Sequence, residues 1–226
     1  MKPILTADEA VKDIKDGCSL MVAGFMGCGN AFTLIDALIR KGTKDINLIT
    51  SDTSFPEVGV GRIICQCRAA TLTASHIGTN PVSGQKMNCG DLKVTLVPQG
   101  TFAERIRAKG AGLGGVLTPT GRGTAVEEGK QKLTLDGKEY LLELPLGADV
   151  AFIKAEVADT YGNAFLPGAT KNMAVVMAMA ADHVILEAEK IVQPGELDPE
   201  RVTIPGIFVS TLVKATLPSA NLQLKA

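Results

Sequence analysis

The chain has 226 residues, 46% of them hydrophobic and 21% charged, and its formal net charge is −1 at pH 7. A chain of this length can bury a large core, and we expect one domain over residues 1–226. Lys and Arg total 23 against 24 Asp and Glu, and 4% of the residues are aromatic. This composition provides neither a basic surface for phosphates nor a stacking platform for bases, so no nucleic-acid partner is expected.

The amino-terminal segment MKPILTADEAVKDIKDG lacks the apolar stretch and small-residue cleavage site of a secretory signal. No apolar run reaches the roughly 18 residues that a membrane span requires. The five cysteines are an odd number without a Cys-x-x-Cys pair, which does not suit a structural zinc site. We therefore predict a cytoplasmic protein with free thiols, no metal and no membrane attachment.

The first predicted elements are a helix, a strand and a second helix. Thr6 and Glu9 have the spacing of a capping box, which predicts a helix from there to about Asp16. Residues 19–23 form an apolar run without alternation, which is typical of a strand buried on both faces. A glycine-containing loop follows, and apolar residues at helical spacing then predict a helix that ends at Gly42.

The rest of the chain continues this alternation. Short buried strands are predicted at residues 46–50, 70–74, 94–97, 150–155 and 183–187. Helices are predicted from a capping box of Thr101 with Glu104 to Gly110, and over residues 172–181. Residues 110–124 are expected to form a long glycine-rich loop, and residues 131–144 a β-hairpin that turns at Asp136-Gly137. Residues 193–206, rich in Pro and Gly, are expected to run along the surface. The pattern predicts an α/β fold with an open, mainly parallel, Rossmann-like sheet flanked by helices.

The glycine loop after the first buried strand is the first candidate site. In open α/β sheets ligands bind at the carboxyl ends of strands, and a helix N-terminus favours an anion. The loop does not match Gly-x-Gly-x-x-Gly, because Phe32 occupies the third glycine position, and it lacks a Walker Gly-Lys-Ser/Thr. The alternative is that its glycines only allow the helix to pack close to the sheet. The candidate binding residues are Gly24, Phe25, Met26, Gly27, Cys28, Gly29 and Asn30.

Other polar residues also follow predicted strands. Gln99 stands between a strand end and a helix start, where its side-chain amide could donate to a developing oxyanion, although a surface glutamine in a turn fits the spacing equally. His76 lies in a polar cluster without a Gly-x-Ser-x-Gly nucleophile motif, which is more typical of a structural histidine. Scattered carboxylates show no acid–base pair, and most are expected to be solvated: Glu127, Glu128, Glu143, Glu156, Asp159, Glu187 and Glu189.

Several segments, in order, resemble the α subunit of family I coenzyme A transferases over about residues 6–213, almost the whole chain. They are DGCSLMVAGFMGCGNAFTLIDAL, SHIGTNP, VPQGTFAERIRAKGAGLGG, TPTGRGT, EEGK, TLDGKEYLLELPLGADVAFIKA and GELDPERVTIPGIFV. Within the family the chain looks most like bacterial subunits that handle acetate, butyrate and acetoacetate.

The resemblance implies a ping-pong exchange of CoA between short-chain carboxylates, with CoA as substrate and no metal or redox cofactor. It also implies a partner β subunit, in a heterodimer or a higher oligomer such as two α with two β subunits. The β subunit carries the nucleophilic glutamate in a Ser-Glu-Asn-Gly motif, which this chain lacks. That glutamate would pass through a glutamyl–CoA thioester.

Residue roles follow from the same resemblance. Gln99 matches the family's Pro-Gln-Gly-Thr segment and is implied as the oxyanion donor. The glycine loop matches the CoA-contacting signature except at Ala23 and Ala31, which replace a glycine and a proline. Thr33 stands where some members carry an asparagine that helps to hold the nucleophilic glutamate.

Two other function classes remain as alternatives at this point. A nucleotide-cofactor oxidoreductase would use the glycine loop as a dinucleotide site, and tight NAD(H) binding would favour it. A non-catalytic ligand-sensing domain of related fold would need a DNA-binding segment, which the sequence does not offer.

Overall fold

A computed structural model describes residues 1–217 of the chain. Its helices are α1 (Ala7–Val11), α2 (Phe32–Lys41), α3 (Val60–Cys65), α4 (Pro81–Cys89), α5 (Gln99–Gly110) and α6 (Ala174–Ala180). Its strands are β1 (Ile4–Leu5), β2 (Ser19–Val22), β3 (Ile46–Ile49), β4 (Ala69–Ala74), β5 (Lys93–Leu96), β6 (Val116–Thr118), β7 (Lys132–Leu135), β8 (Lys138–Glu143), β9 (Ala148–Asp159), β10 (Ala164–Phe165), β11 (Ala181–Val192) and β12 (Thr211–Lys214).

The larger sheet has nine strands within residues 1–217, in the order β1-β12-β11-β9-β2-β3-β4-β5, with β10 paired to β9. Every pair along this order is parallel, and only the β9–β10 pair is antiparallel. The predicted open, mainly parallel sheet flanked by helices is confirmed.

Both faces of the sheet are covered, which explains why its central strands show no polar alternation. In β2, Leu20 and Val22 point into a core formed with α2, whereas Met21 points into a second core formed with α5 and α6. All three side chains are fully buried. A strand with a hydrophobic layer on each side needs apolar residues at every buried position, as residues 20–23 have.

The predicted hairpin is confirmed as part of a small antiparallel sheet of order β6-β8-β7. Asp136 (φ 48°) and Gly137 (φ 71°) both have positive φ, as a type I′ turn requires. The expected long loop over residues 110–124 is wrong in part, because β6 lies within it and pairs with β8. Three residues of strand are too short to give a periodic pattern in the sequence.

The helix limits differ from the predictions in ways that have local causes. The Thr6–Glu9 capping box is present, but α1 ends at Val11, well before Asp16. The capping box predicted for Thr101 and Glu104 is wrong, because α5 begins directly after Pro98. Thr101 therefore lies inside the first turn, with a buried hydroxyl that has no hydrogen-bond partner.

The predicted surface wrapping over residues 193–206 is confirmed, because this segment forms none of the strands and most of its residues are exposed. Beyond it, strand β12 lies between β11 and the amino-terminal β1, with Leu212 opposite Ile4. The predicted free thiols are confirmed for all five cysteines. Among residues 1–217 no helix is long and apolar enough to cross a membrane.

Candidate active site

The candidate residues come together because β2, β3, β4 and β5 are parallel neighbours. Their carboxyl ends lie at one edge of the sheet, and the segments that follow them share that edge. The glycine loop follows β2, Asp52 follows β3, His76 follows β4 and Gln99 follows β5. A parallel bridge between Asp52 and His76 continues the pairing of two of these segments.

The tip of the glycine loop is a tight two-residue turn. Phe25 N donates to Cys28 O and Cys28 N donates to Phe25 O, both at 2.9 Å. The two central residues, Met26 (φ 51°) and Gly27 (φ 86°), both have positive φ, which identifies a type I′ turn. The Phe25 side chain at this tip is 47% exposed, which is unusual for a large apolar residue beside a buried strand.

The base of the same loop is fixed by Asn30. Its Nδ2 donates to Ala23 O at 2.8 Å, and its Oδ1 accepts from Val60 N at 3.0 Å. Asn30 is 1% exposed, so its side chain connects the loop to α3 from inside the protein. Any part that Asn30 plays in CoA binding would therefore act through the shape of the loop.

Gly24 cannot carry a side chain in this arrangement. Its φ is +127°, and a Cβ there would lie 2.2 Å from Asn30 Nδ2. We expect Gly24→Ala to displace Asn30 and to lower the free energy of unfolding by about 1–3 kcal/mol, measured by urea denaturation. Gly90→Ala is the matched control, because Gly90 also has positive φ (+85°) but has nothing within 4 Å of its Cβ position. Equal losses in the two variants would contradict this packing role.

Asp52 accepts hydrogen bonds from the backbone of two loops. Met26 N donates to both of its carboxylate oxygens at 3.1 Å, and Ser54 N donates to Oδ2 at 2.8 Å. Asp52 is 1% exposed. Burial raises the pKa of Asp52 above its ordinary value, whereas the hydrogen bonds from Ser54 and Met26 and the proximity of His76 act to lower it.

Gln99 is the first residue of α5, and it is exposed. The Ser75 hydroxyl shares its one proton between two acceptors, Gln99 Oε1 and, at 2.6 Å, Ser51 O. Gln99 Nε2 has a weak sulfur acceptor, Met173 Sδ at 3.8 Å. The amide is thus oriented through its oxygen, and its N–H groups can be offered to a stronger acceptor. The first turn of α5 has no side-chain cap, so its backbone amides add positive potential beside Gln99.

Most of the seven scattered carboxylates are accessible to solvent, as predicted, but three are buried. Glu143 is 2% exposed, Asp159 5% and Glu187 0%, so these three side chains are not solvated. Each has partners that compensate for its burial. Glu143 contacts Lys130 and Arg105, Asp159 accepts from backbone amides, and Glu187 is paired with Lys154.

Sequence reasoning missed Lys154 and Glu187 as a pair. They lie opposite each other on β9 and β11, and Lys154 Nζ is 3.1 Å from Glu187 Oε1. Glu187 Oε2 accepts from Leu34 N at 3.1 Å, in the first turn of α2. Because α2 follows the glycine loop directly, this pair holds the helix that carries the loop. The signal in the sequence was a lysine inside the otherwise apolar run of residues 150–155.

Thr33 has a local role in the structure. It is 5% exposed, and its hydroxyl accepts from the backbone amides of Thr216 and Leu217, each at 3.1 Å. Its side chain therefore anchors the carboxy-terminal end of the described chain.

Comparison with known proteins adds to this geometry. Residues 4–215 match the sequence profile of the family described as Coenzyme A transferase. The chain belongs to this family. It is 47% identical over 210 residues to the acetate CoA-transferase subunit alpha of Escherichia coli K12, covering 93% of this chain and 96% of that protein. It is 48% identical over 200 residues to the acetoacetyl-CoA:acetate/butyrate CoA transferase alpha subunit of Clostridium acetobutylicum, covering 88% and 92%.

A solved structure of this coenzyme A transferase family has the same fold. The acyl-CoA transferase YdiF of Escherichia coli O157:H7, in a thioester complex with CoA, superposes with a TM-score of 0.85 at 26% identity. The match covers 95% of this chain and 47% of YdiF, so the chain spans about half the length of that protein.

Proposed function

We propose that the chain is the α subunit of a short-chain acyl-CoA:carboxylate CoA-transferase that exchanges CoA among acetate, butyrate and acetoacetate. The two relatives at 47% and 48% identity support this assignment through their names. The structural observation that carries it is the juxtaposition, at one edge of the sheet, of a tight glycine loop and the oriented amide of Gln99.

The proposed reaction begins on the β subunit. Its glutamate carboxylate attacks the acyl-CoA carbonyl, the C–S bond breaks, and an acyl–glutamyl anhydride and CoA thiolate form. The thiolate then attacks the glutamyl carbonyl and releases the carboxylate, leaving a glutamyl–CoA thioester; the incoming carboxylate reverses both steps. Every addition passes through a tetrahedral oxyanion.

This chain contributes groups that stabilise and position the reacting atoms. The Gln99 Nε2–H would donate to the oxyanion, assisted by the uncapped first turn of α5. The glycine loop, from Gly24 to Asn30, would receive CoA close to its backbone, where glycines leave room. The mechanism needs no redox cofactor, because each step only exchanges one nucleophile for another at an acyl carbon, and Gln99 rather than a metal would stabilise the oxyanion. No observation favours the oxidoreductase or the ligand-sensing domain.

The proposal is tested by assembling the chain with a candidate β subunit that carries the Ser-Glu-Asn-Gly motif. We expect transfer of CoA from acetoacetyl-CoA or butyryl-CoA to acetate in the purified complex, measured by loss of the acyl-CoA on chromatography. Each chain purified alone should give no transfer above the uncatalysed rate, since neither holds the whole site. Full activity of this chain by itself would contradict the proposal, and so would an inactive complex that carries Ser-Glu-Asn-Gly in its β chain.

A further inference from the structure

The carboxylate of Asp52 is positioned to control the tip of the glycine loop. Asp52 lies after β3, whereas Met26 lies after β2, so their contact joins segments that follow neighbouring strands. Both carboxylate oxygens accept from Met26 N at 3.1 Å. This amide lies within the type I′ turn that forms the exposed end of the loop.

The two donors to Asp52 share an unusual backbone conformation. Met26 and Ser54 both have φ of 51° although neither is glycine. A non-glycine residue in this left-handed region costs of the order of 1–3 kcal/mol and persists only where its surroundings hold it. A single buried carboxylate accepts from both strained residues, and the same carboxylate therefore holds both turns.

The glycine loop has other anchors, but they act at its base. Asn30 Nδ2 donates to Ala23 O, and Ser51 Oγ donates to Gly24 O at 2.7 Å. Met26 is one of the two central residues of the tip. Among the described residues, Asp52 is the one side chain that accepts a hydrogen bond from its amide. The base of the loop would therefore survive loss of the carboxylate, whereas the tip would lose its fixed conformation.

We propose that Asp52 is a positioning residue for acyl-CoA, because it holds the tip of the glycine loop in the conformation that receives the thioester. This inference rests on the proposed function. Asp52 would act through the Met26 amide, and its loss would lower kcat/KM for acyl-CoA. The carboxylate is buried, and the backbone amides of Met26 and Ser54 are its hydrogen-bond donors, which fits a role in holding the two turns.

The test compares Asp52→Asn with Asp159→Asn in the assembled complex. Asp159 is a matched control, since it is 5% exposed and its Oδ1 accepts from the backbone amides of Tyr161 and Asn163 at 2.9 Å, at the far end of β9. We expect Asp52→Asn to lower kcat/KM for acyl-CoA about tenfold, because one carboxamide oxygen cannot hold both amides. Hydrogen exchange should accelerate in residues 24–30 and 52–54 and remain unchanged in the rest of the complex.

A second variant separates positioning from folding. Met26→Gly relieves the positive-φ penalty without removing the carboxylate, so the double variant Asp52→Asn, Met26→Gly should regain part of the lost kcat/KM. An Asp52→Asn complex with the same kcat/KM as Asp159→Asn would overturn the inference. Faster exchange throughout the complex, or a double variant no better than the single one, would also overturn it. A wild-type complex without transfer would instead refute the proposed function.

Discussion

Gln99→Ala in the assembled complex should lower kcat about 10²- to 10³-fold, the usual loss on removing one oxyanion donor. Gln99 stands at the first position of α5, and the Ser75 hydroxyl holds its Oε1, so Nε2 is directed without reorganisation of the protein. Such a donor forms its hydrogen bond mainly with the oxyanion of the tetrahedral states. The KM for acyl-CoA should therefore change little while kcat falls. Steady-state rates over a range of acyl-CoA concentrations measure both quantities.

Gln85→Ala is the matched control for this prediction. Gln85 is also an exposed glutamine on a helix, α4, but it does not follow a strand at the site. We expect its kcat to equal that of the wild-type complex. Undiminished kcat in Gln99→Ala would remove Gln99 from the oxyanion site. An equal fall in both variants would indicate loss of assembly instead.

Lys154→Met should destabilise the chain by about 3–5 kcal/mol, the range for breaking one side of a buried ion pair. The Lys154 side chain is 5% exposed and that of Glu187 is 0% exposed, so the variant leaves a carboxylate without its cation inside the protein. Lys154 Nζ also lies 3.5 Å from Glu189, whose side chain is 44% exposed. Urea denaturation of wild type and variant, followed by circular dichroism, gives the difference in unfolding free energy.

Two further variants make this prediction specific. The double variant Lys154→Met, Glu187→Gln should recover part of the loss, because a neutral amide needs no cation and its oxygen can still accept from Leu34 N. Lys132→Met breaks an exposed ion pair with Glu127 and should cost no more than about 1 kcal/mol. If Lys154→Met cost as little as Lys132→Met, the pair would not support α2 and the loop before it.

The central part of the fold could be predicted because its signals are local. Strands β2, β3, β4 and β5 are apolar or short runs bounded by loops, and the turn at Asp136-Gly137 has its own chemistry. The strands at the β1 end of the sheet could not be predicted. Strand β1 has two residues, and its pairing of Ile4 with Leu212 joins the two ends of the chain. Such pairing depends on tertiary contacts that no short window of sequence contains.

The candidate site divides in the same way. Its place could be predicted, since Gln99 and the glycine loop follow strands at the edge where open α/β sheets bind ligands. The buried side chains that hold the site in place could not be predicted. Asp52 contacts Met26 across 26 positions, and Glu187 contacts Leu34 across 153. A carboxylate in a sequence does not reveal its burial, so the sequence does not distinguish these side chains from solvated ones.

The division of the site between the two subunits is tested most directly by the intact mass of both chains after the complex is incubated with acetoacetyl-CoA without an acceptor carboxylate. We expect the β chain to gain the mass of one CoA less one water, as a glutamyl–CoA thioester. This chain should remain unmodified in the same sample. A CoA adduct on this chain, or steady transfer with no covalent adduct on either chain, would contradict this division.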